Sequence, residues 1–431
     1  MTTHHPTQLT VVSEHRFYRG PDGQIVASDG LFGPRFWTRY TRQFDRVEVV
    51  ARVSETVLPA GTPVESDSVR FRPLPDFTGG VGLIKARLTL RSRLSRLLPR
   101  EGCFLVRTPG LIGSVATSIL TSRGQPYGAE VIGDPAEAFG PVACRHRLQP
   151  LLCVAATRTT RRVCRNASTI AYVTAKRLQT RYPAAVATPS FAYSSIDLPA
   201  GALVRQPRAA DSFTPPIRAI VVANMAAGYK GHSYLIDGVA EARRRGVDLT
   251  LTIIGEGRLR GELEAQAARL GMTETVAFAG RVDSGRPVWE RLRSHDLFVL
   301  PSLTEGLPRA LIEAMASGLP AIGARVGGIP ELLPESDLFD AASGSAIADA
   351  IERVAGQPTR LAAMSARNLA AAADYRSDVL TERRDRMYQA LKARTYGAGP
   401  VALRLPAGSD RQTGSQAVSR AESPATTRRA A

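Results

Sequence analysis

The chain has 431 residues, enough at roughly 100 to 200 residues per domain for two or three compact units, of which two is the expectation. Apolar residues make up 44% and charged residues 22%, which excludes an intrinsically disordered chain. The net charge of +17 is carried almost wholly by arginine, because the only lysines are Lys85, Lys176, Lys230 and Lys392.

That charge is lopsided: residues 1–210 hold 28 basic and 14 acidic side chains, and residues 211–431 hold 28 and 25. Residues 81–165 alone carry 14 basic and 4 acidic groups, a local field suited to phosphates or an anionic membrane surface. No run of 18 apolar residues occurs, and the start Met1-Thr-Thr-His-His lacks the basic-then-apolar layout of a secretory signal, so the expected location is cytoplasmic. Cys103, Cys144, Cys153 and Cys164 show no CxxC or zinc-like spacing and read as reduced thiols.

From Gln8 onward short β-branched runs alternate with helical stretches, the pattern of a parallel sheet covered by helices on both faces. In the first half, residues 1–198, strands are expected at 8–13, 47–53, 68–72, 103–107, 129–132 and 168–173. Helices are expected near 34–43, 80–98, 110–123, 142–164 and 175–181. Between Pro199 and Pro216 periodicity gives way to Pro and Gly, which suits a linker at 199–216. A second unit at 217–376 then alternates more cleanly, with strands at 217–223, 249–254, 275–279, 297–301 and 320–324. Helices lie between them and near 328–333, 344–355 and 358–373, a doubly wound sheet. A last helix near 377–394, within 377–396, is free to return to the first domain. Residues 397–431, rich in Ser, Thr, Ala, Gly and scattered Arg, read as a disordered tail.

The segment from Asp296 to Gly318 reads as strand, loop and helix, with Pro308 suited to the first helical turn and Gly318 to the stop. Glu305 then sits just beyond the carboxyl end of a parallel strand, where open α/β sheets bind ligands, and Glu313 lies about one and a half turns into the helix. The helix amino terminus offers free N–H groups at Gly306 and Leu307 to phosphate or sugar oxygens. Ionised carboxylates on either side accept strong hydrogen bonds from hydroxyls. Sugar hydroxyls beside a diphosphate fit this arrangement. Taken singly, a Glu-x7-Glu spacing is common in helices and a lone lysine is usually a solvated charge; their position at strand ends gives them weight.

Here the chain resembles glycosyltransferase family 4, whose members are retaining enzymes with a Glu, seven residues, then Glu signature matched by Glu305 and Glu313. The likeness extends through the run from Ala219 to Lys230-Gly-His, through Ile254-Gly-Glu-Gly257-Arg258-Leu-Arg, Val276-Ala-Phe-Ala-Gly280-Arg-Val282 and Gly323-Ala-Arg-Val-Gly-Gly-Ile-Pro-Glu-Leu. The resemblance implies the α/β GT-B fold, two Rossmann-like doubly wound domains facing across a cleft. It implies that Lys230 holds the donor diphosphate, Glu305 the sugar and Glu313 the ribose, with Asn224, Gly257, Arg258, Val282, Gly306 and Leu307 around them. Asn224 stands where the family often has an arginine partner to that lysine; either Arg258 compensates, or it merely coats the surface while Lys230 and helix ends suffice. Transfer with retention from a nucleoside diphosphate sugar, UDP before GDP, to an acceptor hydroxyl of a glycolipid, lipid-linked or cell-surface polysaccharide intermediate is the implied reaction. Front-face attack is the favoured route. No Asp-x-Asp triplet occurs, so neither an essential metal nor another cofactor is expected.

In the first half, Arg107 and Asp134 each follow an expected strand and are candidates to face the cleft. Asp134, where the family often has a histidine, is a catalytic candidate or a turn cap before Pro135. Gly30 and Gly33 are acceptor-side candidates in place of the family's glycine pair. Between Leu83 and Arg100, basic residues interleave leucines at helical spacing. This is either an amphipathic helix lying on the inner face of an anionic membrane or an ordinary domain helix with an arginine-rich outer face. Arg145, Arg147, Arg158, Arg161, Arg162 and Arg165 add a second basic helix.

Rival classes are weaker. Gly255-Glu-Gly257-Arg-Leu-Arg-Gly261 places its third glycine one residue late for a dinucleotide fingerprint, and no phosphate loop ending in Gly-Lys-Ser/Thr exists. A nucleotide-sugar epimerase on the same fold stays open. A nucleic-acid-binding protein would suit the basic charge, but no recognition-helix, zinc-finger or RNA-binding motif accompanies it, so no nucleic-acid partner is expected.

Overall fold

A computed structural model of the chain describes residues 7–28, 32–77, 89–140 and 147–397. Gly30, Lys85, Arg87, Cys144, Arg145 and the expected tail beyond 397 lie outside the described residues.

Among the described residues the first domain carries nine strands: β1 (Gln8–Arg19), β2 (Ile25–Ala27), β3 (Arg46–Val57), β4 (Thr62–Pro63), β5 (Val69–Pro75), β6 (Cys103–Thr108), β7 (Gly128–Val131), β8 (Thr169–Tyr172) and β9 (Ser190–Ala192). Seven of them form a parallel sheet in the order β5-β3-β1-β6-β7-β8-β9. The short β2 pairs antiparallel with the far end of β1, and β4 with β2. β1 runs six residues past the expected 8–13. Its register with β3 shifts between Val12 and Arg16, a bulge that leaves polar Glu14, His15 and Arg16 at the carboxyl end of the sheet. Successive residues point to opposite faces: Val11 joins the cluster with Trp37, Tyr40 and Phe44, and Val12 the one with Leu94, Ile112 and Leu120.

Helices α1 (Pro34–Thr41), α2 (89–97), α3 (Leu111–Ser122), α4 (Pro135–Ala138), α5 (Gln149–Asn166) and α6 (Arg177–Arg181) cover this sheet. The helix expected near 142–164 corresponds to α5, with Pro150 in its first turn; residues 142–146 of the expected stretch lie outside the described residues. The short α4 before it, opened by Pro135 and capped by Asp134, was not expected.

In the second domain, β10 (Ile217–Val222), β11 (Leu249–Ile254), β12 (Val276–Gly280), β13 (Leu297–Leu300), β14 (Ala321–Ala324) and β15 (Leu338–Phe339) form an all-parallel sheet. Its order is β12-β11-β10-β13-β14-β15, so the chain reverses direction across the sheet between β10 and β13. That reversal opens a crevice at the carboxyl ends of these two strands. Helices α7 (His232–Arg244), α8 (Arg260–Arg269), α9 (Arg286–Arg293), α10 (Arg309–Ala316), α11 (Ile329–Leu332), α12 (Gly344–Ala355) and α13 (Pro358–Ala372) enclose it.

Residues 199–216 carry two short 3-10 turns and lie against the second domain, where Val204 N–H donates to Ala316 O at 2.9 Å and Arg208 N–H to Ser365 Oγ at 2.9 Å. The last helix, α14 (Ser377–Tyr396), leaves the second domain and packs on β6, β8 and β9 of the first. Arg384 on α14, 4% exposed, donates to Ser194 O at 2.8 Å and Ile196 O at 3.0 Å. No helix among the described residues is long and apolar enough to cross a membrane.

Candidate functional site

The crevice between β10 and β13 brings together Lys230 and Glu305, two of the charged residues singled out from the sequence. After β10 the chain turns through Gly228–Lys230 and enters α7 at Gly231. Gly231 has φ +73°, and a Cβ there would stand 2.0 Å from Pro301 O, so only glycine lets this turn press onto the end of β13. The result is that Lys230 Nζ reaches Glu305 Oε1 at 2.6 Å. Ser302 Oγ–H donates to the same oxygen at 2.8 Å. The side chains of Lys230 and Glu305 are 17% and 12% exposed, so the pair is largely shielded.

Glu313 lies on α10, where Trp289 Nε1–H donates to its Oε1 at 3.3 Å. Burial pushes its carboxyl above the usual range, opposed by the Trp289 hydrogen bond and by Arg309 nearby. His232, at the first position of α7 and 3% exposed, is pushed down to about 4, chiefly by burial and in part by the neighbouring Lys230 charge, against a backbone hydrogen bond at Ala223. It is neutral at pH 7, so Lys230 supplies the positive charge of this corner.

The remaining expected donor-side residues frame the crevice. Gly257 has φ +159°, and a Cβ on it would stand 2.1 Å from the Met225 carbonyl carbon, so the loop after β11 closes onto the loop after β10. Arg258 is exposed and its Nε donates to Ala226 O at 2.9 Å, tying the same two loops. Asn224 is exposed and its Oδ1 accepts from Ala226 N–H at 3.2 Å, a local turn contact. Val282 is half-buried against the core. Gly306 lies so close to the first domain that a Cβ on it would stand 2.7 Å from Ile132 O, and Leu307 is buried behind it.

The first-domain candidates are placed differently. Asp134, 5% exposed, accepts from Ala136 N–H at 2.9 Å and from Tyr182 O–H at 2.5 Å, and Arg181 stands 3.1 Å from its other oxygen. Those contacts engage both oxygens in capping α4 and tying it to α6, the turn-cap alternative. Arg107 does not point into the cleft: it is 7% exposed, donates to Glu130 Oε2 at 3.2 Å and lies 5.4 Å from the Phe36 ring. The reason is that β6 is buried along its whole length. Gly33 precedes α1 and is buried; Gly30 lies outside the described residues.

Several polar groups at the cleft were not singled out. Glu14, at the bulge of β1, accepts from Gly113 N–H of α3 at 3.0 Å, and burial raises its carboxyl. Glu331 accepts from Ala175 N–H at 2.6 Å and Arg177 N–H at 2.6 Å, across the domain boundary. Glu137 accepts from Gly327 N–H at 3.1 Å and also pairs with Arg177. Glu331 stands inside the Gly-Gly-Ile-Pro-Glu block, which was the one available signal; Glu14 sits among residues that read as the end of a strand. Among the described residues no group of three or more His, Cys, Asp or Glu gathers as a metal site.

Residues 216–357 match the family described as "Glycosyl transferases group 1". Protein CapJ of Staphylococcus aureus is 24% identical over 320 residues, covering 72% of this chain and 77% of that protein. The GDP-mannose-dependent alpha-(1-6)-phosphatidylinositol monomannoside mannosyltransferase of Mycolicibacterium smegmatis is 33% identical over 149 residues, covering 31% of this chain and 38% of that one. The putative glycosyltransferase EpsF of Bacillus subtilis is 41% identical over 93 residues, 22% of this chain and only 23% of its own length. In three dimensions the chain is similar to sucrose-phosphate synthase of Thermosynechococcus elongatus, with TM-score 0.67 at 14% identity over 90% of this chain and 100% of that one. It is also similar to Anabaena Alr3699/HepE, whose structure is in complex with UDP-glucose, with TM-score 0.59 at 15% identity over 89% and 99%. The fold is therefore that of the GT-B glycosyltransferases, as expected from the sequence, and the second domain is a glycosyltransferase group 1 domain. That domain and the relatives named as glycosyltransferases support a transferase.

Proposed function

We propose that this protein transfers a hexose, with retention at the anomeric carbon, from a nucleoside diphosphate sugar to a hydroxyl of a lipid-linked or cell-surface polysaccharide intermediate. UDP is preferred to GDP as the carrier. The observation that carries the reading is the shielded Lys230–Glu305 pair, 2.6 Å apart at the chain-reversal crevice of the matched domain. In this reading the ammonium of Lys230 turns from Glu305 toward the diphosphate as charge builds on the leaving group. Stabilising such charge with a group already in position is the largest single contribution available without covalent chemistry. Glu305, held by Ser302, accepts donor-sugar hydroxyls, and Glu313 accepts those of the ribose. The acceptor hydroxyl attacks the face from which the diphosphate departs, and the leaving phosphate oxygen takes its proton; no metal is required.

Removing one partner of a shielded ion pair strands the other and costs about 3–5 kcal/mol, enough to unfold a marginal protein. The test therefore pairs Lys230→Met with the double variant Lys230→Met/Glu305→Gln, which leaves no stranded charge. Transfer from UDP-hexoses, read as acceptor-linked sugar, should fall by at least about 100-fold in both variants while the double variant keeps its circular dichroism. Wild-type turnover in the folded double variant would refute the assignment. Free epimerised nucleotide sugar formed without acceptor would instead establish an epimerase.

A further inference from the structure

Nine large hydrophobic side chains are exposed among the described residues, and four of them, Leu148, Leu151, Leu152 and Val154, fall within seven positions at the start of α5. Leu151 is 68% exposed and Val154 46%. The other five, Val57, Ile132, Val186, Leu270 and Tyr396, are scattered through the sequence and are ordinary on any soluble surface. A contiguous apolar tip marks an interaction site.

The rest of the helix says what the tip meets. Thr160, Val163 and Cys164 turn inward to the sheet. On the outward side, Leu151 and Leu152 are followed at three- and four-residue steps by Ala155, Arg158 and Arg162, with exposed Arg161 and Arg165 flanking them. One stripe thus passes from aliphatic to cationic within three turns. Helix α2 shares this side of the sheet: its Leu90 and Leu94 join Val163 and Cys164 in one cluster, and its Arg91, Arg93 and Arg96 are exposed. A second copy presenting the same stripe would be repelled by like charge. A bilayer with anionic headgroups satisfies both halves, taking the leucines below the headgroups and the guanidiniums at phosphate level.

Position adds a consequence. The start of α5 is held on α4, by Gln149 to Phe139 O and by Cys153 Sγ–H to Ala136 O at 3.7 Å. Helix α4 carries Glu137, which contacts Gly327 of the second domain, so the tip stands beside the mouth of the cleft. We propose that the amino-terminal turns of α5 dock this enzyme on an anionic membrane by inserting Leu151, Leu152 and Val154. The membrane then lies next to the cleft, where an acceptor anchored in it is delivered. The choice of acceptor rests on the function proposed above; the docking itself does not.

Vesicle co-sedimentation without any substrate tests it, using full-length protein and vesicles of phosphatidylcholine alone or with phosphatidylglycerol. Wild type should bind the anionic vesicles and not the neutral ones. Leu151→Ser/Leu152→Ser and Arg158→Ala/Arg162→Ala should each lower partitioning by about tenfold or more. Both variants alter exposed side chains, so thermal stabilisation by UDP, measured in parallel, should be unchanged and reports the donor site separately. Equal binding to both vesicle types, unaltered binding of the leucine variant, or a leucine-dependent change of oligomeric state in sedimentation velocity without vesicle binding would overturn the proposal.

Discussion

Glu313 is a carboxyl group whose burial works against its own ionisation. Its titration point is raised, so between the ordinary carboxylate range and that raised value the folded chain binds more protons than the unfolded one. Stability therefore falls as pH rises through this window, and ionised Glu313 is a cost at neutral pH. Such a cost is retained where the ionised form has a partner to bind. Glu313→Gln keeps an oxygen for Trp289 Nε1–H and removes the charge. The variant should melt at a slightly higher temperature than wild type when empty, and UDP should stabilise it less. Differential scanning fluorimetry with and without UDP reads both; an unchanged UDP-induced shift would remove Glu313 from the donor site. The placing of Glu305 and Glu313 after β13 was legible in sequence because strand end, loop and helix are adjacent along the chain, whereas Lys230, 75 residues from Glu305, was joined to them through the family resemblance. Of the two readings open for Asp134 its contacts match the turn cap, and Arg107, expected to face the cleft, turns to Glu130; side-chain direction depends on neighbours such as Tyr182 and Glu130 that lie 48 and 23 residues away.

At the scale of elements, the loop that carries Glu305 is fastened to the opposite domain through a second loop. Gly328 N–H donates to Gly306 O at 2.8 Å, and Glu331, four residues after Gly327, takes the free N–H groups of Ala175 and Arg177 at the start of α6. Lys176 N–H adds a longer contact at 3.2 Å. Hydrogen bonds to a charged acceptor are worth about 1.5–3 kcal/mol each, so this one carboxylate fixes the relation of the two loops more firmly than a surface ion pair would. The Glu331 carboxylate hydrogen-bonds to residues 175–177 and would act as a positioning residue. Glu331→Ala should leave UDP binding within about twofold of wild type, while kcat/KM for the acceptor falls roughly ten- to hundredfold, because misplacement by an ångström is enough to lose that much. A parallel loss of UDP affinity would assign Glu331 to the donor site instead. Sequence periodicity reports what each element is, and it recovered most strands of both sheets. It is silent on pairings such as Glu331 with residues 175–177, and on two- and three-residue strands such as β4, β9 and β15, which are too short to show a period.

Across the whole molecule, α14 is the element that makes two domains behave as one body. A single hydrophobic cluster runs from Leu9 and Val11 of the first sheet through Met387, Tyr388 and Leu391 of α14, then through Leu380 and Leu198, to Leu311 and Met315 of α10, next to the loop that carries Glu305. Arg384 pins that helix from within: it is 4% exposed, donates to two carbonyls of the segment after β9, and its guanidinium lies 5.8 Å from the Tyr193 ring. Tyr193 O–H in turn donates to Glu130 at 2.9 Å, and Glu130 accepts from Arg107. Replacing Arg384 by Met preserves apolar bulk but strands both carbonyls in the interior, at a cost of about 2–4 kcal/mol. That cost falls on the seam between the domains, because α14 enters from the second and is buried in the first. Scanning calorimetry of Arg384→Met should therefore resolve two transitions, the first domain melting before the second, where wild type should melt in one. UDP should raise only the later transition, since the residues proposed to bind the donor all follow residue 216. A variant that melts earlier but in one unsplit transition would show that the domains are coupled by the Glu331 and Glu137 contacts rather than by α14.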